Sequence, residues 1–342
     1  MSGDECPADR YSEKVMKRKI TVFSLCSMLL ALSLHAEAQQ LTKVYRVGYI
    51  SPRNQIGRNE EAFRSRMHEL GYVEGQNIII DWRFASGKTD LFPDFAAALV
   101  RLNVDAIVGQ GVDATGAAKR ATSKIPIVMS NADDDPVRLG LVASLAQPGG
   151  NVTGFISISS DIAGKRLELL KETIPKASRG AILSRPRSHG TAAASHVRET
   201  EIAARALAIK LEPLEARGRE DLENVFRTAR KVADALIVVA VAGMINDREQ
   251  ILDLAVKTRL PVMYTNPEIV IAGGLISYAA DLPALASGAA NYVDRILRGT
   301  KPTDLPVQQP MKFEFIVNLK AAKQIGLTIP PSVLARADKV IR

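Results

Sequence analysis

The chain has 342 residues, of which 46% are hydrophobic and 24% are charged, and its formal net charge is +8. These proportions are typical of a globular protein, so they exclude a mainly disordered chain, a collagen-like chain and a disulfide scaffold. At roughly 150 residues per domain, the length indicates about two domains. A positive charge is compatible with binding to nucleic acid or to a membrane surface. The net charge alone does not indicate either partner, so the positions of the basic residues along the chain have to be considered.

The first 38 residues have the pattern of a secretory signal peptide. Four basic side chains precede the uncharged run 20–34, and Ala36-Glu37-Ala38 follows with small residues at its first and third positions. We expect cleavage after Ala38 and export to the periplasm. A membrane anchor is the alternative, but a span needs about 20 apolar residues and this run is shorter. Met16 is a second candidate for the start of the chain.

This removable segment changes how the composition is interpreted. Cys6 and Cys26 both lie in it, so the mature chain is expected to have no disulfide, no thiolate metal site and no cysteine nucleophile. Its five basic and five acidic residues cancel, so the mature chain keeps the charge of +8. No dense basic cluster with interleaved aromatic residues follows, so nucleic acid is not expected as a partner.

Short apolar runs alternate with helical patterns along the mature chain. The predicted strands are 44–50, 77–84, 104–110, 126–131, 151–158, 180–184, 211–216, 235–241, 261–266 and 273–279. Between them, apolar residues recur at spacings of three and four, as in the helix that contains Phe63, Met67 and Leu70. A further helix is expected from near Thr115. A Pro-spaced segment covers 301–310.

Such alternation predicts an α/β protein with parallel sheets covered on both faces. Two similar runs of strands have their border near 155–160. The break at Pro148-Gly149-Gly150 and the Pro-spaced segment 301–310 favour two doubly wound lobes over one closed eight-unit barrel. Ligands of open parallel sheets bind beyond the carboxyl ends of the strands, so two facing lobes would place a site between them.

The segment 109–116, GQGVDATG, is the first motif with a chemical interpretation. It lacks the third glycine of a dinucleotide fingerprint, because Ala114 occupies that position, so no cofactor is expected. Main-chain N–H groups at a helix start, with the Thr115 hydroxyl, can hold a carboxylate. Capping of the helix by Asp113 is a structural alternative that is compatible with this role.

Three adjacent aspartates, 133–135, precede Pro136. Their spacing does not match a calcium loop, so we expect a turn and a helix start with Pro136 at an early position, and no metal. Asn131 and Asp135 follow a strand and are expected to face the cleft between the lobes.

Enzyme signatures are absent from the sequence. It contains neither Gly-x-Ser-x-Gly nor His-Glu-x-x-His. His68, His189 and His196 remain after processing, and only His189 lies in a loop after a strand. In the same loop, Arg185 and Arg187 could hold an anion through their planar guanidinium groups, with an ordinary charged loop as the alternative.

Seven segments together resemble the substrate-binding proteins of the TrpX-like ABC-transporter family. They are HELGYVEGQNIII (68–80), DAIVGQG (105–111), IPIVMSNADDDPVRLGLVASLAQPGGNVTG (125–154), KRLELLKETIPKA (165–177), GGLISYAADL (273–282), ILRGTKPTDLPVQQP (296–310) and FIVNLKAAKQIGLTIPPSVLARAD (315–338). The resemblance implies a type I periplasmic-binding fold with a hinge. Its lobes would comprise 39–157 with 275–305, and 158–274 with 306–342.

The resemblance also implies a small ligand, an amino acid or aromatic carboxylate, which a monomeric receptor delivers to a membrane permease. By position, the contacts from the first lobe would be Ser51, Asp113, Ala114, Thr115 and Asn131. Those from the second lobe would be Ser184, Arg185, Ala242, Asn266 and Tyr278.

One position departs from the family. Amino-acid binders of this group tend to carry an aspartate after the strand that matches 235–241, where this chain has Ala242 and Gly243. Asp113 or Glu268 could replace this partner of the ammonium group, and a carboxylate without an amino group is equally compatible. An exported α/β enzyme and a periplasmic sensor for a signalling receptor stay open as alternatives.

Overall fold

The computed structural model describes residues 43–157, 162–185, 192–239 and 242–342. The predicted signal peptide and its cleavage site, Arg187 and His189 lie outside the described residues.

Five parallel strands form the first sheet, in the order β2-β1-β3-β4-β5. The strands are β1 (Tyr45–Ser51), β2 (Ile78–Phe84), β3 (Ala106–Gly109), β4 (Ile127–Ala132) and β5 (Val152–Ile156). Three helices connect them: α1 (Arg58–Glu69), α2 (Phe92–Arg101) and α3 (Gly111–Ala121). Strands β3 and β5 are buried along their whole length, because helices cover both faces of the sheet.

Seven strands form the second sheet, in the order β12-β11-β10-β9-β8-β6-β7. The strands are β6 (Arg179–Ser184), β7 (Lys210–Glu215), β8 (Ala235–Val238), β9 (Val262–Tyr264), β10 (Ile276–Ala280), β11 (Phe313–Asn318) and β12 (Lys339–Ile341). The remaining helices are α4 (Ile162–Thr173), α5 (Ala192–Ala206), α6 (Leu222–Val232), α7 (Ala242–Asn246), α8 (Arg248–Thr258), α9 (Pro267–Ile271), α10 (Leu282–Leu297), α11 (Leu319–Gln324) and α12 (Pro331–Arg336). Only the β10–β11 pair is antiparallel among the described pairs.

Two open sheets confirm the predicted pair of doubly wound lobes and exclude the closed barrel. Residues Tyr45–Arg342, which contain both sheets, form one compact unit. Strand order reverses between β1 and β3 in the first sheet, and between β6 and β8 in the second. A crevice opens at the carboxyl ends of the strands on either side of such a reversal, which is where ligands bind in open α/β sheets.

The chain crosses between the sheets at positions that differ from the expectation. Segment 275–305 divides: β10 lies in the second sheet, paired with β9 and β11, whereas α10 packs its apolar face into the first core. The next crossing comes after Gln308 rather than at 306, because Gln308 still exchanges main-chain hydrogen bonds with β5 through Gly154 and Ile156.

Two local predictions need correction. Helix α3 begins at Gly111, one turn before Thr115, and its N-cap residue is Gln110 rather than Asp113. The carboxylate of Asp133, from the loop after β4, instead accepts a hydrogen bond from Val112 N at 3.2 Å. Residues 136–140 form a turn, so the helix start predicted at Pro136 is wrong.

Gly154 allows the close approach of β4 and β5. Its φ is +132°, and a Cβ atom there would lie 2.2 Å from the carbonyl oxygen of Met129. The register of the β4–β5 pair shifts between Met129 and Ala132, at the carboxyl end of β4. Glycine is therefore required at position 154, where β5 lies against the main chain of β4 next to this irregularity.

Candidate functional site

A cavity of about 120 Å³ lies at the carboxyl ends of the strands of both sheets. An engineered apolar cavity of roughly 150 Å³ holds benzene, so this space suits a small molecule of about ring size. The lining residues from the first sheet and its helices are Pro52, Arg53, Asn59, Thr89, Phe92, Gln110, Gly111, Val112, Asp113, Asn131, Asp133 and Ser157. The others are Arg166, His196, Val239, Ile245, Asn246, Thr265, Asn266, Ala279, Ala280 and Leu282.

Arg166 on α4 is the lining residue with the most unusual environment. It is 5% exposed, and its Nε donates to the main-chain oxygen of Tyr278 at 2.8 Å. Among the described residues, neither Nη1 nor Nη2 has a hydrogen-bond acceptor, and no carboxylate forms an ion pair with the guanidinium. Two terminal nitrogens, with four N–H donors, and a positive charge without an ion-pair partner among the described residues are therefore left for a group inside the cavity.

Burial has an electrostatic cost for this arginine. Desolvation lowers the pKa of Arg166 to about 10, while the more distant carboxylate of Glu199 acts in the opposite direction. The side chain remains a cation at neutral pH. A buried cation without a partner is destabilising, and a carboxylate held by both terminal nitrogens would relieve that cost.

A second arginine, Arg53, connects the two lobes. It follows β1, and its Nη1 lies 2.8 Å from Oε2 of Glu268 on α9. Its Nε lies 3.7 Å from Oε2 of Glu60, which is fully buried and also accepts from Ser51 Oγ and Gly57 N. Arg53 thus lies between two carboxylates, and its charge is largely neutralised within the protein.

Three of the predicted contact residues line the cavity: Asp113, Asn131 and Asn266. Asn131 is in β4 and accepts from Ser130 Oγ at 3.0 Å. Asn266 is the N-cap of α9 and accepts from Glu268 N at 2.8 Å. Asp113 projects from the first turn of α3. Each of them comes just after or at the end of a strand, as the strand-end rule predicts.

Other predicted contacts from the first lobe are used inside the protein. Ser51 is fully buried, and its hydroxyl donates toward Glu60. Ala114 is fully buried, and the Thr115 hydroxyl donates to Gly111 O at 2.8 Å. Asp135 Oδ1 accepts from two main-chain N–H groups of its own turn. None of these four lines the cavity in this structure.

The remaining predicted contacts belong to the second sheet. Arg185 is committed to an ion pair with Asp247 at 2.8 Å, and Ser184 is buried at the end of β6. Ala242 is the first residue of α7. The ring of Tyr278 stacks on Phe313 with centroids 5.7 Å apart, so it meets the site only through the main-chain oxygen bonded to Arg166.

The part of the chain that the structure describes contains no group of three or more side chains suited to holding a metal ion. Across the same residues, none of the helices has the length and apolar character needed to cross a membrane.

Sequence reasoning missed Arg53, Asn59, Phe92, Gln110 and Arg166. Arg53 and Gln110 follow β1 and β3, so the strand-end rule would have identified them. Arg166 had a different signal, because it occupies a position on the apolar stripe of α4 that is otherwise formed by Ala163, Leu167 and Leu170.

A family model described as "ABC transporter substrate binding protein" matches residues 57–341. A "Tyrosine-binding protein" from Clostridioides difficile is 26% identical over 278 residues, which are 80% of this chain and 77% of that protein.

Solved structures show the same fold. A conserved domain protein from Vibrio cholerae O1 biovar El Tor has a TM-score of 0.81 and 27% identity, with 87% of this chain and 100% of that chain covered. A Streptococcus protein described as an ABC domain in complex with L-Trp has a TM-score of 0.79 and 24% identity, with coverage of 87% and 99%. With more than half of its length matched by the family model, this chain belongs to the ABC transporter substrate-binding protein family and has the type I periplasmic-binding fold.

Proposed function

We propose that this protein binds a small carboxylate, an α-amino acid, between its lobes outside the cytoplasm and delivers it to a membrane permease. The observation that carries the proposal is the buried guanidinium of Arg166, whose terminal nitrogens lack partners among the described residues. A planar guanidinium matches a carboxylate in geometry as well as in charge.

Acidic residues that line the cavity from the first lobe favour an amino acid over a carboxylic acid without an amino group. Asp113 and Asp133 line the cavity from the first lobe, and Arg166 lines it from the second. A zwitterion complements walls of opposite charge. The name of the Clostridioides difficile relative supports the same ligand class.

Movement of the lobes provides the link to transport. Two connections within the described residues, 280–282 and 308–313, join the sheets, and we assign the hinge to them. Closure around a ligand gives a permease a shape to recognise. The basic segment, uncharged run and small residues near Ala38 support export to the periplasm, and we expect a monomer by light scattering.

The test is a thermal-shift panel of the common amino acids and of aromatic acids with the purified mature chain. A ligand at 100 times its Kd stabilises the folded state by about 2.7 kcal/mol, which raises the Tm by on the order of 5 °C at this size. The bound molecule should be recovered chemically unchanged, in contrast to the expectation for an enzyme. Absence of a shift with every compound would overturn the proposal.

A further inference from the structure

The amide of Asn59 has no partner among the described residues, although it is buried beside the cavity. Asn59 is the second residue of α1, is 4% exposed and lines the cavity. Its Oδ1 is inaccessible to solvent and accepts no hydrogen bond, and its Nδ2 donates none to a described residue. Buried side-chain amides are nearly always hydrogen-bonded, so this one requires an explanation.

The helix does not supply that explanation. Asparagine is often found at helix starts, where its side chain caps free N–H groups. In α1 this role belongs to Glu60, whose Oε2 accepts from Gly57 N at 3.1 Å. Asn59 therefore stabilises neither the helix start nor a neighbouring side chain, and a buried amide left in this state is destabilising.

The surroundings indicate which ligand group would meet the amide. The first turn of α1 carries the positive end of the helix dipole, which disfavours a cation there. The carboxylates of Asp113 and Asp133 line the same cavity and are better partners for an ammonium group. The carboxylate end of the ligand has Arg166. A neutral donor, a hydroxyl or an N–H group, is what remains for Asn59.

We propose that Asn59 is a specificity-determining residue that accepts a hydrogen bond from a hydroxyl or N–H group on the side chain of the bound amino acid. The proposal rests on the proposed function above. A site built to hydrogen-bond a ligand hydroxyl discriminates strongly against the analogue without it, because the buried polar group is then left unpaired.

The experiment compares ligand pairs that differ by one hydroxyl, tyrosine with phenylalanine and serine with alanine, by isothermal titration. The wild-type protein should bind the hydroxyl member of its better-bound pair about tenfold more tightly. In Asn59→Leu and Asn59→Ala this ratio should fall to about one. Asn224→Ala, an exposed change in the first turn of α6, is the matched control and should keep the wild-type ratio.

The outcomes separate the two proposals. If no amino acid of the thermal-shift panel binds to the wild-type protein, the amino-acid assignment fails and this inference fails with it. If amino acids bind but the ratio is near one, or stays near tenfold in both Asn59 variants, the role of Asn59 is refuted and the proposed function stands. The Tm of each ligand-free variant should equal or exceed that of the wild type, because a buried unpaired amide has been removed.

Discussion

Replacing Arg166 by methionine should separate ligand affinity from protein stability. Methionine has a similar length and no charge, so it fills the space on α4 without the guanidinium. The proposed ligand then loses its carboxylate partner. The ligand-free protein loses one hydrogen bond, from Nε to the oxygen of Tyr278, but also loses the cost of burying an unpaired cation.

The size of the effect follows from the electrostatics of the site. Burial lowers the pKa of Arg166 from its usual value of 12.5 to about 10, which corresponds to about 3 kcal/mol against the charged form. A carboxylate that pairs with the guanidinium recovers up to this amount. The Kd for the anionic ligand should therefore rise about 100-fold in Arg166→Met. The unfolding free energy without ligand should stay within about 1 kcal/mol of the wild-type value.

Isothermal titration and chemical denaturation measure the two quantities. Arg227→Met is the matched control, because Arg227 lies on the same lobe, carries the same charge and is 60% exposed. Its Kd should stay within about twofold of wild type, since exposed charges are screened. Arg166→Lys keeps the charge without the planar pair of donors and should fall between the two. Wild-type affinity in Arg166→Met would refute the assignment of the anion site.

Three further predictions concern closure, acid stability and packing. In Glu268→Gln the ion pair between Arg53 and residue 268, which joins the lobes, is lost. Ligand affinity should fall several-fold, and small-angle scattering should show a larger radius of gyration. An unchanged radius of gyration and an unchanged affinity would contradict a role of this pair in closure. Hydrogen bonds to its carboxylate lower the pKa of Asp234 from 3.8 to about 2, and the side chain of Arg179 makes the largest contribution to this shift. The ionised Asp234 therefore stabilises the folded state fully above about pH 4, and this stabilisation is lost as the pH falls toward 2. In Asp234→Asn the Tm should decline less steeply than in the wild type between about pH 4 and pH 2. Parallel curves of Tm against pH for the two proteins would refute this prediction. Gly154→Ala should lower the unfolding free energy by more than about 2 kcal/mol, because the new methyl group meets the main chain of β4. Gly150→Ala, with open space around the new methyl group and an ordinary φ, should change it by less than about 1 kcal/mol in the same denaturation series.

The alternation of strands and helices could be predicted because the inner strands of both sheets are covered on both faces. Runs such as those of β3 and β8 are apolar at every position, and every residue in them is buried. The assignment of a strand to a sheet could not be predicted in the same way. β10 has the local pattern of any strand, and only its long-range pairing with β9 and β11 places it in the second sheet.

The residues of the candidate site likewise fall into a predictable group and an unpredictable group. Residues at strand ends are predictable because the fold class alone places them at the cavity, as for Asp113, Asn131 and Asn266. Ser51 and Thr115 satisfy the same rule but turn inward to bond with their neighbours, which depends on side-chain geometry that spacing does not encode.

The two arginines at the cavity have different roles because of the carboxylates around them. Glu268 from the second lobe pairs with Arg53, whose charge Glu60 also offsets, so little of this positive charge is left for a ligand. No comparable partner among the described residues reaches Arg166. Among the described arginines that line the cavity, Arg166 on the second lobe is therefore the one whose charge is left for the proposed carboxylate. Under the proposed function, Arg166 would fix the orientation of the ligand, and the other end of the ligand would face Asn59 and the acidic wall of the first lobe.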